Sequence, residues 1–212
     1  MNFDEFLKSI SKIKNLPLTA EASHLKMMPP FRQQLLEQTK HKIKSAKKAG
    51  VLALFYPNSK SETSFVLILR KSYKGVHSDQ IAFPGGKLEK NESEHEAALR
   101  ETEEEVGVPK KNIELIKSLS ELYIPPSNFN VHPFMGFTEN TPGFTPQEEE
   151  VEAIIEVRLS DFMDDKYFTS RRVQTSYQME IETPVFILNG HVVWGATAMI
   201  LSEIKDQLKT LR

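Results

Sequence analysis

Residues 85–108 read GGKLEKNESEHEAALRETEEEVGV, and this stretch decides how the rest of the chain is understood. Gly85-Gly86 follows Pro84, a turn in which backbone must approach something closely. Ser93 with Glu96 three residues on is a capping box, so a helix starts there. Ala97, Ala98, Leu99, Thr102 and Val106 supply its packing surface, and Gly107 is placed to stop it. The spacing predicts a helix over 93–106.

Glu101, Glu104 and Glu105 stand at i, i+3 and i+4 and so share one face of that helix. At ~6 Å each pair repels by roughly 3 kcal/mol at an effective dielectric of about 20. They also lie in the C-terminal half, where the macrodipole disfavours anions. Arg100, four residues before Glu104, relieves part of this strain. A divalent cation would relieve far more. The donors are carboxylate oxygens, there is no cysteine, and only His95 is nearby. That set suits a hard ion such as Mg²⁺ or Mn²⁺. On the glutamates alone, an exposed, charge-laced helix without a ligand is the competing reading.

Working outward, the segments on either side are mixed. Phe3, Phe6, Leu7, Ile10 and Ile13 recur at helical spacing behind Asn2, a cap residue, so 3–14 reads as an amphipathic helix. Pro29-Pro30 breaks the chain, and 31–48 reads as a second helix with a lysine-rich side. Val51–Tyr56 and Ser64–Arg70 read as strands forming a hairpin. Residues 113–123, 129–137 and 152–158 read as further strands, with irregular chain to about 170. Asn189-Gly190 between apolar runs signals another hairpin. Ala196–Leu208 reads as a terminal helix. Strands alternating with separated helices imply an α/β chain with a mixed sheet between helices.

Composition narrows the function classes. The chain has 212 residues, 39% hydrophobic and 26% charged, enough for one domain with its own core. The net charge of −2 speaks against a general nucleic-acid coat. It is unevenly spread: residues 1–80 hold 14 Lys/Arg against 6 Asp/Glu, and the remainder holds 13 against 23. The absence of cysteine excludes a disulfide scaffold, thiolate metal sites and cysteine catalysis. The start MNFDEFLKSISK carries Asp4 and Glu5 and no apolar core, so no signal peptide is expected. No apolar run approaches the ~20 residues of a membrane span. A cytoplasmic protein without membrane or nucleic-acid partners is the expectation.

The segment resembles the Nudix box: Gly, five residues, Glu, seven residues, then R-E-U-x-E-E-x-G-U with U aliphatic. Gly86, Glu92, Arg100, Glu101, Glu104, Glu105, Gly107 and Val108 fall at that spacing, and Thr102 replaces one aliphatic U. The resemblance implies a Nudix-type α/β/α sandwich over 49–212, with 1–48 as an N-terminal helical extension. That extension could cover the chain's own core or that of a homodimer partner. It implies a hydrolase of nucleoside diphosphate derivatives, with Glu101, Glu104 and Glu105 binding Mg²⁺ or Mn²⁺ and Arg100 orienting them. Glu92 would support the loop or an outer-shell water.

FVLILR, a loop and QIAFPGG look similar to the coenzyme A pyrophosphatase branch of that family. Arg70 and Phe83-Pro84-Gly85-Gly86 match it; Lys71, Gly75 and Asp79 depart from it. Within this resemblance Arg70, Lys71, Lys74, Phe83, Gly85 and Gly86 are expected at the substrate, and Glu150 aligns with a further loop glutamate that serves as ligand or base. Arg70 has the alternative of a structural ion pair, and Lys71 and Lys74 of solvated loop lysines. Arg171-Arg172 is a second basic pair. Trp194 is expected in the core, and His77 and His132 are expected to stand alone. ADP-ribose, NADH or a dinucleotide is the alternative substrate, and a ligand sensor without turnover the alternative role.

Overall fold

The computed structural model describes residues 1–71, 80–175 and 179–211. The elements in chain order are α1 (Phe3–Asn15), α2 (Ala20–Leu25), α3 (Arg32–Thr39), β1 (Lys47–Pro57), β2 (Thr63–Arg70), β3 (Ile81–Ala82), β4 (Gly85–Lys87) and α4 (Glu94–Val106). They continue with β5 (Glu114–Ser118), β6 (Leu122–Ile124), β7 (Phe129–Phe137), β8 (Val151–Arg158), α5 (Leu159–Met163), β9 (Phe168–Gln174), β10 (Glu180–Leu188), β11 (His191–Val193) and α6 (Gly195–Lys209).

A mixed sheet of eight strands forms the centre. Its main path runs β3-β2-β1-β7-β5, with β4 on β1, β6 on β7 and β8 on β2. β1 pairs parallel to β7 along nine positions from Lys47–Phe129 to Phe55–Phe137, and antiparallel to β2 and β4. β9, β10 and β11 form a separate antiparallel sheet.

Alternation along β1 explains the layers, because successive side chains point to opposite faces. Leu52, Leu54 and Tyr56 join Val66 and Ile68 beneath Ala98 and Val106 of α4. Ala53 and Phe55 join Phe65 and Leu67 on the other face, under α1 and α6. The Phe6 and Phe55 rings lie 5.0 Å apart, so α1 closes this chain's own core. Asn2 caps α1 by accepting from the Glu5 amide at 2.8 Å. The capping box on α4 is also formed, with Glu96 accepting from the Ser93 amide at 2.9 Å, and Gly107 ends the helix with φ 76°.

Several expectations need correction. Residues 31–48 are not one helix: α3 ends at Thr39, a 3-10 turn covers Lys40–Ser45, and β1 already begins at Lys47. The parallel ladder to β7 overrides the local lysine pattern there. The stretch to about 170 is not irregular, since it holds α5 and the start of β9. Trp194 is half-buried at the entry to α6 and does not join the core. His132 does not stand alone; its Nδ1 lies 3.4 Å from Glu121 and its Nε2 4.0 Å from Glu94. His77 lies outside the described residues. Among those described, no helix is long and apolar enough to cross a membrane.

Candidate active site

The site is built where β4 passes beneath α4. Gly86 sits against the helix so closely that a Cβ there would lie 2.3 Å from the Glu101 carboxylate. The missing side chain is therefore the space that this carboxylate occupies. One turn on, Glu105 is buried at 2% exposure. Its Oε2 accepts from the Gly85 amide at 2.8 Å, and its Oε1 pairs with Arg70 Nη1 at 3.1 Å. Glu150, at the head of β8, reaches Arg70 Nη2 at 3.6 Å. Two carboxylates from two parts of the chain, Glu105 and Glu150, thus share one guanidinium, while Glu101 is held by Arg100.

Glu104 takes a different place. Its side chain is 55% exposed and turns to Arg100 at 2.9 Å. Arg100 is a brace: it also donates to Glu101 at 3.0 Å, to Glu92 through Nε at 2.8 Å and Nη2 at 3.1 Å, and to the Lys87 carbonyl at 3.2 Å. This ties the loop before α4 to the helix and fixes Glu101 in rotamer. Hydrogen bonds from Arg100 hold the Glu92 carboxyl below its usual value, and they raise the Arg100 guanidinium in return.

The electrostatics differ within the group. Burial pushes Glu105 up to about 7, because Arg70 and the Gly85 amide offset only part of the desolvation and Glu101 and Glu150 add repulsion. Burial likewise raises Glu101, with Arg100 opposing. A buried carboxylate so poorly compensated marks a place that wants positive charge. Among the described residues no three carboxylates or imidazoles yet stand at ligand spacing around one point. The donor set nevertheless fits a hard divalent ion: carboxylate oxygens only, one with its space cut out by Gly86, beside a buried acid whose counter-charge offsets only part of its desolvation.

A cleft of about 360 Å³ is lined by Arg70, Phe83, Gly85, Gly86, Glu101 and Glu150, and Glu105 is buried behind it. Val51, the strand neighbour of Gly85, lines it together with Val131 and Ile200 and gives it apolar surface. The volume is that of a small-molecule site. Lys71 is not on the cleft; its Nζ donates to the Glu148 carbonyl and its amide to the Glu150 carbonyl at 2.9 Å. Lys74 lies outside the described residues. Arg171 and Arg172 are exposed on β9, away from the cleft lining. The apolar walls from β7 and α6 were not legible as site residues, since alternating apolar residues read as core.

A family model described as NUDIX domain matches residues 46–176. A relative from Yersinia enterocolitica, named "Uncharacterized Nudix hydrolase NudL", is 30% identical over 155 residues, 69% of this chain and 75% of the relative. Among solved structures, a MutT/nudix family protein from Enterococcus faecalis superposes with a TM-score of 0.52 at 18% identity, over 92% of this chain and 76% of that one. RenU, a Nudix hydrolase from M. smegmatis, gives 0.53 at 14% identity, over 79% and 88%.

Proposed function

The chain belongs to the NUDIX domain family, and on that premise we propose that it is a hydrolase cleaving the diphosphate of coenzyme A or an acyl-coenzyme A, using Mg²⁺ or Mn²⁺. The products would be 3′,5′-ADP and 4′-phosphopantetheine, acylated or not. The observation that carries the reading is the cleft lined by Arg70, Glu101 and Glu150, with buried Glu105 behind it paired to the same Arg70. Glu101 and Glu105 would hold the cation from α4, with Glu104 and Glu150 at its edges. Bound there, a divalent cation would neutralise the diphosphate and polarise the attacking water.

The chain's own residues do the rest. Arg70 already sits between Glu105 and Glu150, so it is placed to share its charge with a diphosphate oxygen. Gly85-Gly86 lets that diphosphate approach the backbone without a side chain in the way. Arg100 keeps Glu101 aimed at the cleft. Glu150 is half-exposed at the cleft margin, the position from which a base takes a proton from water. Val51, Phe83, Val131 and Ile200 offer the pantetheine arm an apolar track and exclude bulk water.

The coenzyme A assignment is supported by the FVLILR…QIAFPGG resemblance, which contributes Arg70 and Phe83 to the cleft. Lys71, Gly75 and Asp79 depart from that pattern and favour the second reading, another nucleoside diphosphate derivative such as ADP-ribose or NADH. Incubation of the protein and Mg²⁺ or Mn²⁺ with coenzyme A, ADP-ribose and NADH in parallel, read by chromatography with mass detection, separates them. Coenzyme A split into 3′,5′-ADP and 4′-phosphopantetheine, and protected by chelator, is the expected result. Intact coenzyme A beside cleaved ADP-ribose or NADH would discard the substrate and keep the chemistry.

A further inference from the structure

The cleft does not end at its apolar wall. Gln80, Ile124, Ala196 and Thr197 border both it and a second, smaller chamber of about 90 Å³. That chamber is closed by the segment before and within α3: Pro29, Phe31, Arg32 and Leu35, with Pro125 and Trp194 opposite. Most of this lining is apolar, Gln80, Thr175 and Thr197 are polar, and among the described residues its one charged member is Arg32, buried at 8% exposure.

Arg32 is an unusual group to bury there. Its Nη2 donates to the Tyr123 carbonyl. Among the described residues its other N–H groups make no hydrogen bond and no carboxylate pairs with it. Burial alone pulls the guanidinium down to about 10, so it keeps its charge at neutral pH without a counter-ion. A buried cation without a counter-charge is strongly disfavoured unless something anionic meets it. A planar fork with free donors matches a phosphate in particular. Trp194, Phe31 and the prolines beside it suit the flat faces of a sugar or base.

We propose that this chamber receives a phosphomonoester carried by the substrate outside its scissile diphosphate, as on a nucleoside 3′-phosphate, with Arg32 as the recognising residue; its substrate class rests on the diphosphatase reading above. The N-terminal segment then sets specificity rather than chemistry. It selects coenzyme A over nucleotides whose ribose is bare, because a chamber holding an unpaired guanidinium favours the ligand that pairs it.

Two measurements test this, and they fail separately. Trp194 is the sole tryptophan and lines the chamber, so its fluorescence reports occupancy. Titration without added metal should show adenosine 3′,5′-bisphosphate binding at least tenfold tighter than AMP. Arg32→Gln should bring the two affinities together. Equal affinities in the wild type would overturn the assignment, and that comparison stands even where the variant does not fold. In the second measurement, kcat/KM for coenzyme A should exceed that for dephospho-coenzyme A at least tenfold, through KM. Cleavage of both with equal kcat/KM would overturn the chamber assignment and leave the diphosphatase reading intact. Cleavage of neither, with the bisphosphate still preferred over AMP, would remove that reading and leave the chamber's ligand class supported.

Discussion

Two helices of this molecule each bury a glutamate, and the two acids are treated in opposite ways. On α6, Glu203 is fully buried and well supplied. It accepts from Ser120 Oγ at 2.7 Å, the Ser120 amide at 3.2 Å and the Ala20 amide at 3.3 Å, and His24 Nε2 lies 3.3 Å away. Burial alone would raise its carboxyl, but His24 and Ser120 outweigh that and hold it below its usual value. On α4, Glu105 has one amide and one shared guanidinium, and burial carries it up to about 7. Both residues lie inside a helix and both pay for desolvation. Only the first is compensated in full. The lesson is that burial of a charge does not identify a site; burial left uncompensated does.

The largest effect that can break this comparison comes from the same isosteric change at both positions. Glu105→Gln should lower diphosphate hydrolysis a hundredfold or more, about 3 kcal/mol in the barrier. Thermal unfolding of the metal-free variant should be unchanged or shifted upward, because a repelled charge is gone. Full activity in this variant would sink the assignment of α4 as the reacting face. Glu203→Gln should do the reverse. It removes charge-assisted acceptors for Ser120 and Ala20, and denaturant unfolding should show a loss of roughly 2 kcal/mol. Turnover per folded molecule should stay at the wild-type level, measured below the new melting temperature.

A smaller effect sharpens the comparison at the level of geometry. Gly86→Ala places a Cβ 2.3 Å from the end of Glu101, a side chain that can swing aside. The fold should tolerate this, with a melting temperature close to wild type. Activity should fall about tenfold, since Glu101 leaves the position that Arg100 fixes. A variant that unfolds but keeps its specific activity would show Gly86 to be a packing residue instead.

Much of this contrast was legible beforehand, and the rest was hidden for physical reasons. The α4 boundaries followed from Ser93, Glu96 and Gly107 because caps are local chemistry, and Asn2 and Asn189-Gly190 worked likewise. The start of β1 is hidden in the sequence because its reason to exist is remote. Lys47–Gly50 pair with β7 some eighty residues away, and a Cβ at Gly50 would strike the Glu94 carbonyl of α4 at 2.0 Å. Neither fact is visible in a lysine-rich run. At the site, the i, i+4 spacing put Glu101 and Glu105 on one face. The i, i+4 spacing also put Arg100 on Glu104, as found, but it could not say that Arg70 would sit between Glu105 and Glu150. Arg32 left no trace at all, since a lone arginine beside prolines looks like surface until a cavity surrounds it.

The smallest effect concerns pH, and its sign separates the two acids most sharply. Glu105 has a folded value of about 7 against 4.5 for an ordinary glutamate, so between those values the folded state binds more protons than the unfolded one. Its contribution is therefore complete below about 4.5 and is lost as pH rises toward 7. Glu203 is depressed, so its contribution is present above 4.5 and disappears only as pH falls through its lower folded value. Metal-free protein should accordingly lose about 1 kcal/mol of stability per pH unit across pH 5 to 6 relative to Glu105→Gln, in urea unfolding at fixed ionic strength. Glu203→Gln should leave that slope in place and flatten the acid limb instead. Parallel profiles for wild type and Glu105→Gln would mean that Arg70 and the Gly85 amide already compensate the acid in full. The two glutamates would then be alike, and the physical ground for placing a cation on α4 would be gone.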